Sequence, residues 1–267
     1  KPVDAVRLGG RWDGWVQVAE RALIRREASM SVCDASCTFL DGVLWGPNLG
    51  EQAAELGDVL ERQGLSAAQA LRGSYSIVFL DHKHGKLLLI ADHIRSRNLF
   101  WVICETSRRL LFASNLWDLV NLMREESMPV RLDRLAAQYM LTFGYMLDNR
   151  TLVEGVQRVD PGAALVFDGH AAVEHEYFRF INEPSSGNVD RESIIDGLED
   201  RFRVAVTASF DWDRQFETGH IATLSGGMDS RSVVIAATQM GYRPILTCTA
   251  SVSGYLDQTI AARVSKA

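Results

Sequence analysis

Thr223-Leu224-Ser225-Gly226-Gly227-Met228-Asp229-Ser230-Arg231 lies between His220-Ile221-Ala222, a short apolar run that reads as a strand, and Ser232-Val233-Val234-Ile235-Ala236-Ala237, which reads as a helix start. Strand, tight loop and helix in that order suit an anion. Two adjacent glycines let backbone amides approach it with no Cβ in the way, and the helix behind them adds its N-terminal partial positive charge. Ser225 and Ser230 can donate hydroxyls to phosphate oxygens. Asp229 would repel a bare phosphate, so its position makes sense if it holds Mg²⁺ against one. The pattern therefore points to nucleotide and metal together. It is not a Walker loop, which is longer and ends in Lys-Ser/Thr. The plainer alternative is a Gly-Gly turn capped by Asp and Ser.

The 267 residues, 47% hydrophobic and 23% charged, predict one large domain or two ordinary ones. A net charge of −6 gives no footprint for DNA or an anionic membrane surface, so nucleic acid is not an expected partner. No apolar run approaches the roughly 20 residues that span a bilayer, and Lys1-Pro2-Val3-Asp4-Ala5-Val6 does not form a signal peptide. The expectation is a cytoplasmic protein with no membrane partner. Cys33, Cys37, Cys104 and Cys248 are too few and too scattered for a disulfide scaffold.

After the Gly-Gly loop the chain offers one helix, a strand at Pro244-Ile245-Leu246-Thr247-Cys248-Thr249 and the start of an amphipathic helix at Ile260-Ala261-Ala262-Arg263-Val264. Two parallel strands cannot bury both faces of a nucleotide-binding sheet. The expectation is a piece of a longer protein, with the remainder of this domain beyond residue 267.

Upstream the pattern changes to short strands, predicted at 37–40, 75–80, 86–91, 99–103, 109–113 and 163–167, with turn residues between them. Apolar spacing near 3.6 predicts helices at 49–63, 66–71, 116–123 and 132–141. Antiparallel strands with grouped helices indicate an α+β layered domain. The polar stretch Asn182-Glu183-Pro184-Ser185-Ser186-Gly187-Asn188-Val189 reads as an interdomain linker. Helix resumes behind Asp190, a plausible N-cap, and runs to about residue 209.

Leu224-Ser225-Gly226-Gly227-Met228-Asp229-Ser230 resembles the pyrophosphate loop of ATP pyrophosphatases, which cleave ATP between its α and β phosphates. Leu71-Arg72-Gly73-Ser74-Tyr75-Ser76-Ile77-Val78-Phe79-Leu80-Asp81, then Leu89-Ile90-Ala91-Asp92, Leu99-Phe100-Trp101 and Leu111-Phe112-Ala113-Ser114-Asn115, resemble the glutaminase half of asparagine synthetases. Residues 139–145, Thr151-Leu152-Val153-Glu154-Gly155-Val156 and Asp160-Pro161-Gly162 continue that family's order. The resemblance covers most of residues 36–267. It implies an α+β N-terminal-nucleophile-type αββα sandwich at 1–183, a linker at 184–189, and at 190–267 the first part of an α/β ATP-pyrophosphatase (adenine nucleotide alpha-hydrolase-like) domain.

The departures from that family are specific. Its glutaminase activity uses an N-terminal cysteine whose own α-amine serves as base, and this chain begins with Lys1. Asp92-His93-Ile94-Arg95-Ser96-Arg97-Asn98-Leu99-Phe100 stands where the family has Asp-x-x-Gly-x-x-Pro-Leu-Tyr, so Gly and Pro are both gone. Trp45-Gly46-Pro47-Asn48 replaces an Asn-Gly-Glu segment that helps to hold glutamine. The expectation is lost glutaminase activity. Similar losses occur in β-lactam synthetases and lasso-peptide macrolactam synthetases, and the short N-terminal domain is most similar to the latter.

That branch implies an ATP-dependent carbon-nitrogen ligase with ATP and Mg²⁺ as cofactors. Its substrates would be a carboxylate and an amine, or a precursor peptide brought by a separate delivery protein. Ser225, Gly226, Gly227 and Ser230 would cradle pyrophosphate, Asp229 would bind Mg²⁺ and serve catalysis, and Leu224 would meet adenine through its backbone. Arg231 is left between a phosphate contact and a solvent-facing position, and Asp257 reads as a helix N-cap. The oligomeric state is open, and an oligomer is compatible with the sequence. Two alternatives stand beside the ligase: a glutamine-dependent asparagine synthetase, and a non-catalytic amidotransferase relative that binds a peptide or partner.

The remaining features have plainer readings. His82 and His84 have His-x-His spacing without a third ligand, and Cys33 and Cys37 lack the second pair of a zinc site. Arg95 and Arg97 read as solvated turn charges. Trp12, Trp15, Trp45, Trp101, Trp117 and Trp212 read as core or interface packing.

Overall fold

The computed structural model describes residues 2–8, 14–19, 28–33, 36–45, 52–182, 190–214 and 219–266. They divide into two compact units, Lys1–Ile181 and Asn182–Ala267. Lys1, Trp12, Gly46-Pro47-Asn48 and linker residues 183–189, all singled out above, lie outside the described residues.

The first unit starts with a hairpin, β1 (Pro2–Leu8) and β2 (Gly14–Ala19). Its centre is a six-stranded antiparallel sheet built from β3 (Ala28–Val32), β4 (Ser36–Leu44), β5 (Gly73–Asp81), β6 (Lys86–Ala91), β10 (Ala163–Phe167) and β11 (Ala172–Glu176). Their order across the sheet is β11-β10-β6-β5-β4-β3. A three-stranded sheet, β8 (Arg109–Ala113), β7 (Phe100–Cys104) and β9 (Gln157–Arg158), forms a second layer.

Period-two alternation sends successive residues to opposite faces of a strand. Val78, Leu80, Leu87, Leu89 and Ala91 pack with Leu99 and Val159 and against Trp101, Leu110 and Phe112 of the smaller sheet. Their neighbours Ile77, Phe79, Leu88 and Ile90 face the other way, onto Leu56 and Leu60 of α1 (Gln52–Gln63) and onto Ala67 and Ala68. The far face of the smaller sheet, Phe100, Val102, Leu111 and Ala113, is covered by Leu119 and Met123 of α2 (Leu116–Glu125). The unit is thus helix, sheet, sheet, helix. This layering explains why Leu87-Leu88-Leu89-Ile90-Ala91 is apolar at every position: all five residues are buried.

Several element boundaries differ from expectation. Of residues 66–71, read as helix, 66–69 belong to a 3₁₀ turn at Gly64–Gln69 and 70–71 lie beyond it. The helix expected at 132–141 is α3 (Arg134–Phe143), because the Asp133 side chain accepts the N–H groups of Leu135 and Ala136 and sets the start two residues later. Its end is set by Gly144, in the left-handed conformation at φ 80°. Trp117 and Trp45 are exposed rather than packed in a core.

The second unit contains α4 (Arg191–Arg214), β12 (His220–Thr223), α5 (Met228–Gln239), β13 (Ile245–Cys248) and α6 (Leu256–Val264). Strands β12 and β13 are parallel, in register from His220↔Ile245 to Thr223↔Cys248. Ala222 and Ile245 pack on Val233, Ala236 and Ala237 of α5 and on Val206 and Phe210 of α4. Helix α5 starts at Met228, four residues before the expected Ser232. Gly227 supplies the extended N-cap, and the polar residues that read as loop form the first turn.

All four cysteines are free. His84 Nδ1 pairs with Asp81 at 2.6 Å, and no group of three potential metal ligands occurs among the described residues. No helix among them is long and apolar enough to cross a membrane.

Candidate functional site

The Gly-Gly loop follows the C-terminal end of β12, the place where open parallel sheets bind ligands. Its three leading amides are satisfied from within the protein. Ser225 N–H donates to Ser230 Oγ at 3.0 Å, Gly226 N–H to Asp257 Oδ1 at 2.9 Å, and Gly227 N–H to Ser225 Oγ at 3.1 Å. The two serine hydroxyls also bond each other at 3.0 Å. Two hydroxyls carry two protons: their mutual bond uses one, and the Gly227 carbonyl, 3.5 Å from Ser230 Oγ, is an acceptor within the loop for the other.

Amides without an internal acceptor therefore lie further along the chain. No side chain caps α5, and the first N–H groups of a helix have no intrahelical acceptor. The amides of Met228, Asp229 and Ser230 remain open to an anion, strengthened by the helix dipole. Asp229 is exposed in this turn. One exposed carboxylate fits Mg²⁺ held mainly by phosphate oxygens and water, the usual arrangement for that ion.

The neighbouring residues take roles different from those expected. Leu224 is buried, its N–H donates to Cys248 O at 2.9 Å, and its carbonyl accepts the Thr249 hydroxyl at 2.6 Å. Its N–H is committed to the strand end, and its carbonyl keeps a second lone pair beside the Thr249 hydroxyl. Arg231 Nε donates to Gly227 O at 3.1 Å, so it ties the helix back to the loop. Asp257 is not the N-cap of α6, since Tyr255 holds that position. Asp257 and Thr249 are the contributors that the sequence did not reveal. Only the 31-position separation of Asp257 from Gly226, closed by the fold, brings them together.

In the first unit, the segment where Gly and Pro are missing is organised by Asp92, which is 1% exposed. Its carboxylate accepts N–H groups from Tyr75 at 3.1 Å, Ile94 at 3.0 Å and Ser96 at 3.1 Å, and the Ser96 hydroxyl as well. Its carbonyl takes the N–H of Gly162, from the Asp160-Pro161-Gly162 motif, at 2.9 Å. Arg95 occupies the position of the family glycine and adopts the left-handed conformation, φ 53°, that glycine would take without cost.

Neither arginine of this segment is a solvated turn charge. Arg95 reaches Asn149 Oδ1 and Val159 O at 3.4 Å and Asp160 at 3.9 Å, and burial holds its pKa below the ordinary value against the pull of Asp160. Arg97 pairs with Asp41 at 3.0 Å. Glu174 accepts the Asp160 N–H at 2.7 Å. Burial raises the Glu174 carboxyl to about 7 against that hydrogen bond, with the Asp160 carboxylate adding to the rise. Burial also pushes the Tyr177 phenol, which donates to Ala91 O at 2.5 Å, up to about 12.

A family model for a glutamine amidotransferase domain matches residues 55–178, from α1 to just beyond β11. The match fits the glutaminase-like half of asparagine synthetase-type proteins and the mixed α/β layers described for the first unit. It supports an amidotransferase-related role for that segment. No curated protein matches the chain.

Proposed function

We propose that the protein is an ATP-dependent, AMP- and pyrophosphate-forming amide ligase. It adenylates a carboxylate for capture by an amine, with lactam or macrolactam closure on a peptide or natural product as its reaction. The observation that carries this reading is the loop after β12: internally bonded at Ser225, Gly226 and Gly227, open at the first turn of α5, with Asp229 exposed beside those amides.

A carboxylate is a poor acyl donor because its leaving group would be oxide. In the proposed reaction a carboxylate oxygen attacks the α-phosphorus of ATP, pyrophosphate departs, and the amine then displaces AMP from the acyl-adenylate. The α5 amides would stabilise charge moving onto pyrophosphate, as preorganised donors do. Asp229 would hold Mg²⁺, which when bound offsets phosphate charge. A precursor peptide and a delivery protein are the partners that the ligase reading brings with it.

Calorimetric titration of Mg·ATP into the protein and its Asp229→Ala variant tests the proposal. Binding by the wild type that the variant loses is expected, and absence of wild-type binding refutes the reading. The family match favours a second reading, a glutamine-dependent asparagine synthetase. Release of ammonia from glutamine would support that one, whereas the arginine at position 95 argues against it.

A further inference from the structure

We propose that Asp257 is a positioning residue of the nucleotide loop. From the first turn of α6 its carboxylate holds the Gly226 amide, fixes the path of the loop, and leaves the first turn of α5 as the donor set for pyrophosphate. The inference rests on the nucleotide reading above and adds a residue to the same site.

The bond between Asp257 Oδ1 and Gly226 N–H, 2.9 Å long, joins two elements that are not adjacent in the chain. A Cβ at Gly226 would stand 2.5 Å from that oxygen, 3.1 Å from Asp257 Cα and 3.3 Å from Ile260 Cδ1. The glycine is therefore demanded by the approach of α6, not by room for a phosphate. At Gly227 a Cβ would meet only Ser225 Oγ, at 3.3 Å. The opposite flank is pinned by Cys248 and Thr249 through Leu224. Held from both sides, the loop does not have to be ordered when nucleotide arrives, and preorganisation of this kind raises affinity by removing an ordering cost.

Only one carboxylate oxygen, Oδ1, meets the Gly226 amide. The conservative amide keeps such an oxygen, so Asp257→Asn preserves the anchor and Asp257→Ala deletes it.

The test uses the full chain, both variants, and two readouts: exchange of the Gly226 amide proton by NMR without nucleotide, and Mg·ATP affinity by calorimetry. For Asp257→Ala the amide is expected to exchange at least about tenfold faster and Mg·ATP to bind about tenfold more weakly, the equivalent of one hydrogen bond. Asp257→Asn is expected to restore both. Unchanged or tighter Mg·ATP binding by Asp257→Ala overturns the inference, because the carboxylate would then be idle or would obstruct the site. Failure of Asp257→Asn to restore what alanine loses also overturns it. If the wild type binds no Mg·ATP, the nucleotide reading and this inference fall together; if the wild type binds and alanine changes nothing, only the inference falls.

Discussion

Replacing Asp92 should show how much of the first unit depends on one side chain. The carboxylate is buried, and both oxygens are met by donors: Ile94 and Ser96 amides at Oδ1, and the Tyr75 and Ser96 amides with the Ser96 hydroxyl at Oδ2. A buried N–H left unpaired costs roughly 1–3 kcal/mol. The Tyr75 amide belongs to a fully buried residue and cannot reach water, so it should cost about 2 kcal/mol. The Ile94 and Ser96 amides lie in a partly buried turn and regain some hydration, about 1 kcal/mol each. Asp92→Ala should therefore destabilise the unit by about 4 kcal/mol, a urea midpoint lower by roughly 2 M. Asp92→Asn should cost nearly as much, because its NH₂ group must face donors whichever way the amide is turned. Urea titration followed by tryptophan fluorescence measures both. An asparagine variant within about 1 kcal/mol of wild type would refute the reasoning, since donor saturation on both oxygens would then not be what holds the turn.

Three further outcomes are expected. At Arg95 the left-handed backbone penalises any side chain by about 1–2 kcal/mol, against about 0.4–1 kcal/mol of extra chain entropy for glycine; Arg95→Gly should be more stable than Arg95→Ala in thermal melts, the reverse of the order at an ordinary loop position. Glu174 has a folded-state pKa raised from 4.5 to about 7, so the folded state holds the extra proton and stability falls as pH rises through that window; in Glu174→Gln this fall should be absent, and the variant should gain on wild type above pH 7 but not below 4.5. Gly226→Ala should destabilise the second unit by roughly 1–3 kcal/mol through overpacking against Asp257, whereas Gly227→Ala, at φ −69° and with only Ser225 Oγ nearby, should cost less in the same melts.

The layers of the first unit were legible because both signals they need are in the sequence: short apolar runs bounded by turn residues in β5, β6 and β10, and 3.6-spaced apolar positions in α1 and α2. Strand β3 was missed because Ala28-Ser29-Met30-Ser31-Val32 is weakly apolar and pairs only along the sheet edge with β4. Strand β11 was missed because Glu174 and Glu176 interrupt its pattern. At the loop, Ser225, Gly226, Gly227, Asp229 and Ser230 could be named from their spacing, but not the bonds that divide their labour. Which amides are already taken depends on Ser230 returning to Ser225 and on Asp257 arriving from α6. Neither contact leaves a periodic trace. The arginines at 95 and 97 misled for a related reason: their partners Asn149, Asp160 and Asp41 are remote in sequence.

Among the described residues strand β11 has a strand neighbour, β10, on one side only, and a free strand side is a template for any other extended chain in solution. Glu174 pairs across from Leu165 and shares its side of the strand with Ala172, which packs on the inter-sheet core. It is therefore a charge turned inward on an edge strand, a device that keeps such rims from adding a foreign strand. The group that lowers folding stability above neutrality would thus also oppose self-association there. Acidification through about pH 7 neutralises Glu174 and removes that opposition, so solubility and folding stability should move in opposite directions as the solution is made acid.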